Sequence, residues 1–312
     1  MTSISGPSVQ LLDISDDEAG QRIDNFLMRV LKGVPRSRIY RIIRKGEVRI
    51  NKGRVKPEYH LQAGDRVRVP PVRLPDKHKV DPRAHFSVDL EQRIIYEDKR
   101  LLVIDKPSGL AVHGGSGLRS GLIESLRAQR PDAPYLELVH RLDRATSGCL
   151  MIAKKRSELR SLHEMLRNHQ VTKKYFLLAM GDFTKTRLTV DAPLIKNQLR
   201  GGERVVKVDA QGKSALTRFK VVEKYALATL MEADLASGRT HQIRVHATHV
   251  GHPIAGDERY GDADFNREMR SNGLKRLFLH AHFLAFEDAG TGRSITVSCP
   301  LADDLHRVIN SL

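Results

Sequence analysis

Residues 139–148 read Val139-His140-Arg141-Leu142-Asp143-Arg144-Ala145-Thr146-Ser147-Gly148. One carboxylate stands here among three basic side chains, with a glycine at the exit. By residue type alone, Asp143 reads equally as an ion-paired loop residue or as a reactive carboxylate in basic surroundings. Ser147 lacks the glycine-flanked elbow of a hydrolase nucleophile, so acyl transfer is not supported.

Downstream lies a second dense cluster, Gly238-Arg239-Thr240-His241-Gln242-Ile243-Arg244-Val245-His246. Ile243, Ala247 and Val250 share one helical face, which predicts a helix ended by Pro253, with Thr240 as its N-cap. His246, His249 and His252 recur every three residues, as metal ligands sometimes do. No thiolate or carboxylate completes a set and no His-Glu-x-x-His pattern occurs, so histidines that are hydrogen-bonded, or polar and facing a partner, are expected instead.

The charge balance narrows the partner. Lys and Arg number 53 against 37 Asp and Glu, a formal +16. That exceeds the roughly 2–8 that suits a small soluble domain, and it points to a polyanion. Anionic membranes fit less well, because no basic helix carries a broad aromatic face and Trp is absent. Between Arg36 and Lys56 the charge is nearly of one sign: Arg36, Arg38, Arg41, Arg44, Lys45, Arg49, Lys52 and Arg54 accompany Lys56, against the single acid Glu47. Surface helices ordinarily mix signs, so this face is expected to bind RNA. Tyr40 is its lone aromatic, which favours recognition of folded RNA by shape and phosphate over base stacking.

Two widely spaced cysteines, Cys149 and Cys299, make neither a disulfide framework nor a zinc pattern. No signal peptide and no apolar run of spanning length is visible, so a cytoplasmic protein is expected. The expected organisation is a loose tail over 1–19, a small domain over 20–70, a Pro-rich linker over 71–84 and a second domain over 85–312. In the small domain, helices are predicted over Arg22–Leu31 and Ser37–Lys45, the latter stopped by Gly46, and strands over Glu47–Ile50 and Arg66–Val69. In the second domain, strands are predicted over Arg93–Tyr96 and Leu101–Ile104, followed by a glycine loop holding Gly109, Gly114, Gly115 and Gly117. That loop lacks the endings of nucleotide-binding loops. Apolar runs at Tyr175–Met180 and Leu277–Leu284 complete an α+β pattern with a largely antiparallel mixed sheet.

Taken in order, these stretches resemble the RluA-type pseudouridine synthases with an N-terminal S4 domain. The S4-like part runs through Arg22-Ile23-Asp24, Ser37-Arg38-Ile39 and Gly46-Glu47-Val48. The catalytic signatures are Asp105-Lys106-Pro107-Ser108-Gly109, His140-Arg141-Leu142-Asp143, Lys174-Tyr175, Gly238 to Arg244, and Leu279-His280-Ala281. The resemblance implies Asp143 as catalytic carboxylate, Tyr175 as active-site tyrosine, Arg244 as partner of the aspartate and Leu279 as an apolar contact of the base. Ala145 stands where this family often has an acid. Arg141 and His140, beside Asp143, are expected to contact substrate. The resemblance further implies isomerisation of uridine in large-subunit ribosomal RNA or an assembly intermediate, by a monomer needing no metal or cofactor. Such a reaction leaves its product an isomer, and Tyr175 is expected to stack on uracil more than to act as a base, its ordinary pKa being near 10.

Overall fold

The computed structural model describes residues 8–16, 18–31, 34–72, 88–114, 120–198, 204–288 and 292–312. The expected linker, the start of the second domain, Gly115, Gly117 and the first residues of the tail fall wholly or largely outside them. The chain divides into two compact units, Met1–His85 and Phe86–Leu312.

The first unit contains β1 (Gln10–Asp13), α1 (Ile23–Val30), α2 (Arg36–Arg44), β2 (Arg49–Ile50), β3 (Gly53–Arg54) and β4 (Arg66–Val69). Ile23, Phe26 and Leu27 from α1 meet Ile39, Ile42 and Ile43 from α2 in one core, so the helical spacing of the apolar residues is what joins the two helices. Gly46 ends α2 at φ +68°, the left-handed position that favours glycine. Asn51 and Lys52, at φ +49° and +70°, make the tight turn of the β2–β3 hairpin. The expected strand from Glu47 is shorter, starting at Arg49, because Glu47 and Val48 still close the end of α2 through bonds to the Ile42 carbonyl. The expected loose tail needs correction. Gln10–Asp13 is an edge strand paired antiparallel with β4, and Ile14 is buried beneath it. Four residues of weak pattern gave no strand signal; the pairing edge of β4 supplies it.

The second unit is built on a sheet of ten strands: β5 (Ile94–Glu97), β6 (Leu101–Lys106), β7 (Glu137–Leu138), β8 (Ser147–Ala153), β9 (Thr172–Met180), β10 (Arg187–Asp191), β13 (Leu216–Lys224), β14 (Ala228–Leu235), β15 (Leu279–Glu287) and β16 (Ser294–Ser298). A separate hairpin pairs β11 (Leu194–Gln198) with β12 (Arg204–Val208). The helices are α3 (Leu122–Gln129), α4 (Arg156–Arg167), α5 (Gln242–His249), α6 (Ala263–Ser271) and α7 (Asp303–Ile309). The main path runs β10-β13-β14-β9-β15-β8-β6-β5, with β16 and β7 attached to β15 and β8. Every pair among the described strands is antiparallel except β8 with β15. The expected α+β class with a largely antiparallel mixed sheet therefore holds.

The parallel pair positions the site. Because β8 and β15 run the same way, the loops entering both open on one edge, and Ser147 lies opposite His280. The approach is close. Gly148 sits at φ +103°, and a Cβ there would fall 2.2 Å from the Ala281 carbonyl oxygen. Only glycine lets the two halves of the sheet meet at this point.

Candidate active site

The loop carrying Asp143 is pinned from several directions. A turn closes it through Thr146 N–H donating to the Asp143 carbonyl at 3.1 Å, and buried Leu142 anchors it in the core. The signature at 105–109 clamps its far side. Lys106 Nζ donates to the carbonyls of Pro107, Leu110 and Arg144 at 2.9, 2.8 and 3.2 Å. Gly109 N–H also donates to the Arg144 carbonyl, and Ser108 Oγ to that of Ala145. Burial pushes the Lys106 pKa down to about 7, against the attraction of Asp143. Two signatures nearly forty residues apart are thus one loop assembly.

His140 is part of that assembly. Its Nε2 accepts from Met151 N–H at 3.0 Å, and burial lowers its pKa to about 3, so the ring is neutral. It does not line the cavity at Asp143. Its Nε2 acceptor is spent on β8, so the ring supports the loop.

Asp143, Arg141, Tyr175, Arg244 and Leu279 all line one cavity of about 90 Å³. Tyr175 lies on β9 opposite Ala233 and Ala281, two small residues that leave room for its ring. The residue is buried and lines the cavity. Burial, reinforced by the negative charge of Asp143, drives the phenol well above its ordinary pKa. Leu279, buried at the start of β15, supplies a further apolar wall. Arg141 is exposed, and its guanidinium has no protein partner among the described residues.

Arg244 projects from α5. It pairs with Asp257 through both carboxylate oxygens, at 2.7 and 2.8 Å, and reaches Asp143 Oδ2 from Nη1 at 3.4 Å. Burial disfavours its charge, but Asp257 and Asp143 hold it firmly cationic. Asp257 is itself buried and also accepts from the N–H groups of Arg259 and Tyr260. Burial alone would raise its pKa; these bonds keep it below the ordinary range. The helix begins differently from the expectation. His241, not Thr240, stands at the N-cap, in the left-handed region at φ +54° and with no side-chain cap. Its ring turns inward instead: Nε2 lies 3.7 Å from Asp143 Oδ2, and Nδ1 lies 2.8 Å from the Tyr260 hydroxyl.

Asp257, Tyr260 and Lys106 had no role assigned from sequence. Asp257 and Tyr260 sit between Gly256 and Gly261, and a Cβ at Gly261 would meet the Asp257 carbonyl at 2.0 Å. This glycine-bracketed turn was the one available signal. The recurrent histidines do structural work in part: His246 bonds Thr217 and the Ala192 carbonyl, and His252 bonds the Met180 carbonyl. In the first unit, Arg36, Arg38, Arg41, Arg44, Lys45, Arg49, Lys52 and Arg54 are all exposed, and none forms an ion pair with a carboxylate among the described residues.

The sequence model of the RNA pseudouridylate synthase family matches residues 100–249, and that of the S4 domain matches residues 21–67. The chain is 55% identical over 307 residues to ribosomal large subunit pseudouridine synthase C of Pasteurella multocida, covering 98% of this chain and 94% of that protein. It is 56% identical over 310 residues to the protein of the same name from Yersinia pestis, covering 99% and 97%. Among solved structures, human RNA pseudouridylate synthase domain containing 4 superposes with a TM-score of 0.59 at 26% identity, over 71% of this chain and 93% of that one. Site geometry, domain order and near full-length similarity converge, and the chain belongs to the RNA pseudouridylate synthase family, with an S4 domain ahead of its synthase domain.

Proposed function

We propose that this protein isomerises uridine to pseudouridine in large-subunit ribosomal RNA, with the Asp143 carboxylate engaging the nucleotide. The observation that carries this reading is the convergence of Asp143, Tyr175, Arg244 and Leu279, from four separate segments, on one cavity. The named substrate of the relatives, together with the S4 domain, supports the choice of RNA.

The reaction breaks the N1–C1′ bond, turns the uracil and forms C5–C1′, while a proton leaves C5 and one is gained at N1. Arg244 and His241 both address Oδ2 of Asp143, and no hydrogen bond among the described residues reaches Oδ1, the oxygen offered to the nucleotide. A free Oδ1 suits attack at C1′ or C6, and equally proton removal at C2′. Both contacts to Oδ2 are long, as expected of a site that tightens only around its substrate. Arg244 keeps the carboxylate ionised and aimed. Tyr175, protonated throughout the neutral range, offers its ring face to the uracil and its hydroxyl as a hydrogen-bond donor. The target nucleotide must leave its stack, at a cost of a few kcal/mol, and exposed Arg141 at the cavity rim is placed to hold the flipped strand. The exposed basic set from Arg36 to Arg54 supplies phosphate contacts.

We also infer a cytoplasmic monomer. The compartment agrees with the ribosomal RNA substrate in the relatives' names, and no helix among the described residues is long and apolar enough to cross a membrane.

The test is pseudouridine mapping in ribosomal RNA from cells lacking this protein, complemented with wild type or Asp143→Asn. Lost sites restored by the wild type alone are the expected result. Restoration by Asp143→Asn overturns the assignment.

A further inference from the structure

Tyr260 stands at the centre of a chain of polar contacts that leads from the β11–β12 hairpin to Asp143. Val206 N–H, on β12, donates to the Tyr260 hydroxyl at 3.0 Å. The same hydroxyl lies 2.8 Å from His241 Nδ1. His241 Nε2 in turn faces Asp143 Oδ2, the oxygen that Arg244 also addresses. The Arg244 guanidinium lies over the Tyr260 ring, 5.0 Å from its centre. Tyrosine, histidine and arginine therefore form one packed group behind the carboxylate.

The proton positions follow from this order. With Val206 N–H occupying one lone pair of the hydroxyl, the Tyr260 proton is best used toward His241 Nδ1. An imidazole that accepts at Nδ1 carries its own proton at Nε2. That proton then lies on the Asp143 side of the ring, whose Nε2 is 3.7 Å from Oδ2. The opposite tautomer would set the Nε2 lone pair against a carboxylate oxygen.

His241 takes a left-handed backbone conformation at φ +54°, where histidine, like Asn and Asp, is enriched among non-glycine residues.

We infer that His241 is a positioning residue: held by Tyr260 as the Nε2–H tautomer, it steadies Oδ2 of Asp143 so that Oδ1 presents to the nucleotide. This rests on the reading of Asp143 as the reactive carboxylate. The link through Val206 also makes the seating of the β11–β12 hairpin part of the alignment of Asp143.

Two substitutions separate this role from a backbone role. His241→Asn suits the left-handed backbone, but its amide is too short to reach Asp143. His241→Gln suits that backbone less, yet places an amide N–H near the Nε2 position. If the side chain positions Asp143, His241→Gln keeps the single-turnover rate within about tenfold of wild type and His241→Asn loses about 100-fold, the span associated with a hydrogen bond to a charged group. RNA affinity is expected to be unchanged in both. Histidine-labelled ¹⁵N spectra of the full chain, with His241 assigned by its loss in His241→Gln, supply the second readout. The wild type is expected to show a neutral Nε2–H ring, and Tyr260→Phe a mixture of tautomers. An Nδ1–H or charged ring in the wild type overturns the inference, as does His241→Asn turning over as fast as His241→Gln. The tautomer readout does not require Asp143 to be the nucleophile. An active Asp143→Asn would sink the parent reading, while an inactive one with the reversed Asn and Gln order would sink this inference alone.

Discussion

Asp257 grips Arg244 through both carboxylate oxygens, at 2.7 and 2.8 Å, while the same guanidinium stretches to Asp143 at 3.4 Å. The tight pair sets the arginine, and the loose one is left to the chemistry. Asp257→Asn should therefore act as a rate defect. It removes a charge-assisted bond of about 1.5–3 kcal/mol and leaves Arg244 mis-aimed, so a fall in single-turnover rate of about 10- to 100-fold is expected. RNA affinity measured by filter binding should change little. A wild-type rate would show that Arg244 needs no such anchor.

Tyr175 separates two roles by pH. Burial and Asp143 hold its phenol protonated far above neutrality. Tyr175→Phe should keep the ring and lower the rate only modestly, while Tyr175→Ala should abolish turnover. Wild type and Tyr175→Phe should share the same pH–rate profile between about pH 6 and 9, since an ordinary tyrosine titrates near 10 and this one higher. An inflection in that range present in the wild type and missing in Tyr175→Phe would restore tyrosine as the base.

His140 carries a stability prediction. Its folded pKa, about 3, lies below its ordinary 6.5, so the unfolded chain binds the extra proton between these values. Its contribution is complete above pH 6.5 and erodes as pH falls toward 3, by at most about 1.4 kcal/mol per pH unit. His140→Gln keeps an acceptor for Met151 N–H and cannot protonate. Urea melts across this range should show a shallower acid-side loss for the variant. Parallel curves would remove His140 from the acid response.

The basic face of α2 predicts salt dependence. Replacing Arg38, Arg41 and Arg44 together by Ala should weaken RNA binding and flatten the plot of log affinity against log salt by about 0.7–0.9 for each phosphate that is no longer neutralised. An unchanged slope would mean that the face is merely solvated.

Much of this protein is legible before folding. The apolar spacing of Ile23, Phe26 and Leu27 and of Ile39, Ile42 and Ile43 marks two helices because burial must fall on one stripe. The ordered signatures around Asp143, Tyr175 and Arg244 lead to one cavity. What stays hidden is relational. β1 exists only because β4 offers an edge. Thr240 has the right chemistry for a cap, but the inward contacts of His241 claim the helix start. Asp257 looks like any surface acid until the fold buries it against Arg244. Local pattern reports the period of an element; it does not report which distant side chain will meet it.

The most direct measurement is single-turnover pseudouridine formation by purified Asp143→Asn on the RNA that the wild type modifies, alongside RNA affinity and thermal midpoint. Asparagine keeps the size and much of the hydrogen bonding but lacks the charge. The expected result is RNA binding and stability close to wild type with no detectable product. Product formed at a rate within about tenfold of wild type, a barrier change under about 1.4 kcal/mol, would contradict the claim that this carboxylate performs the chemistry.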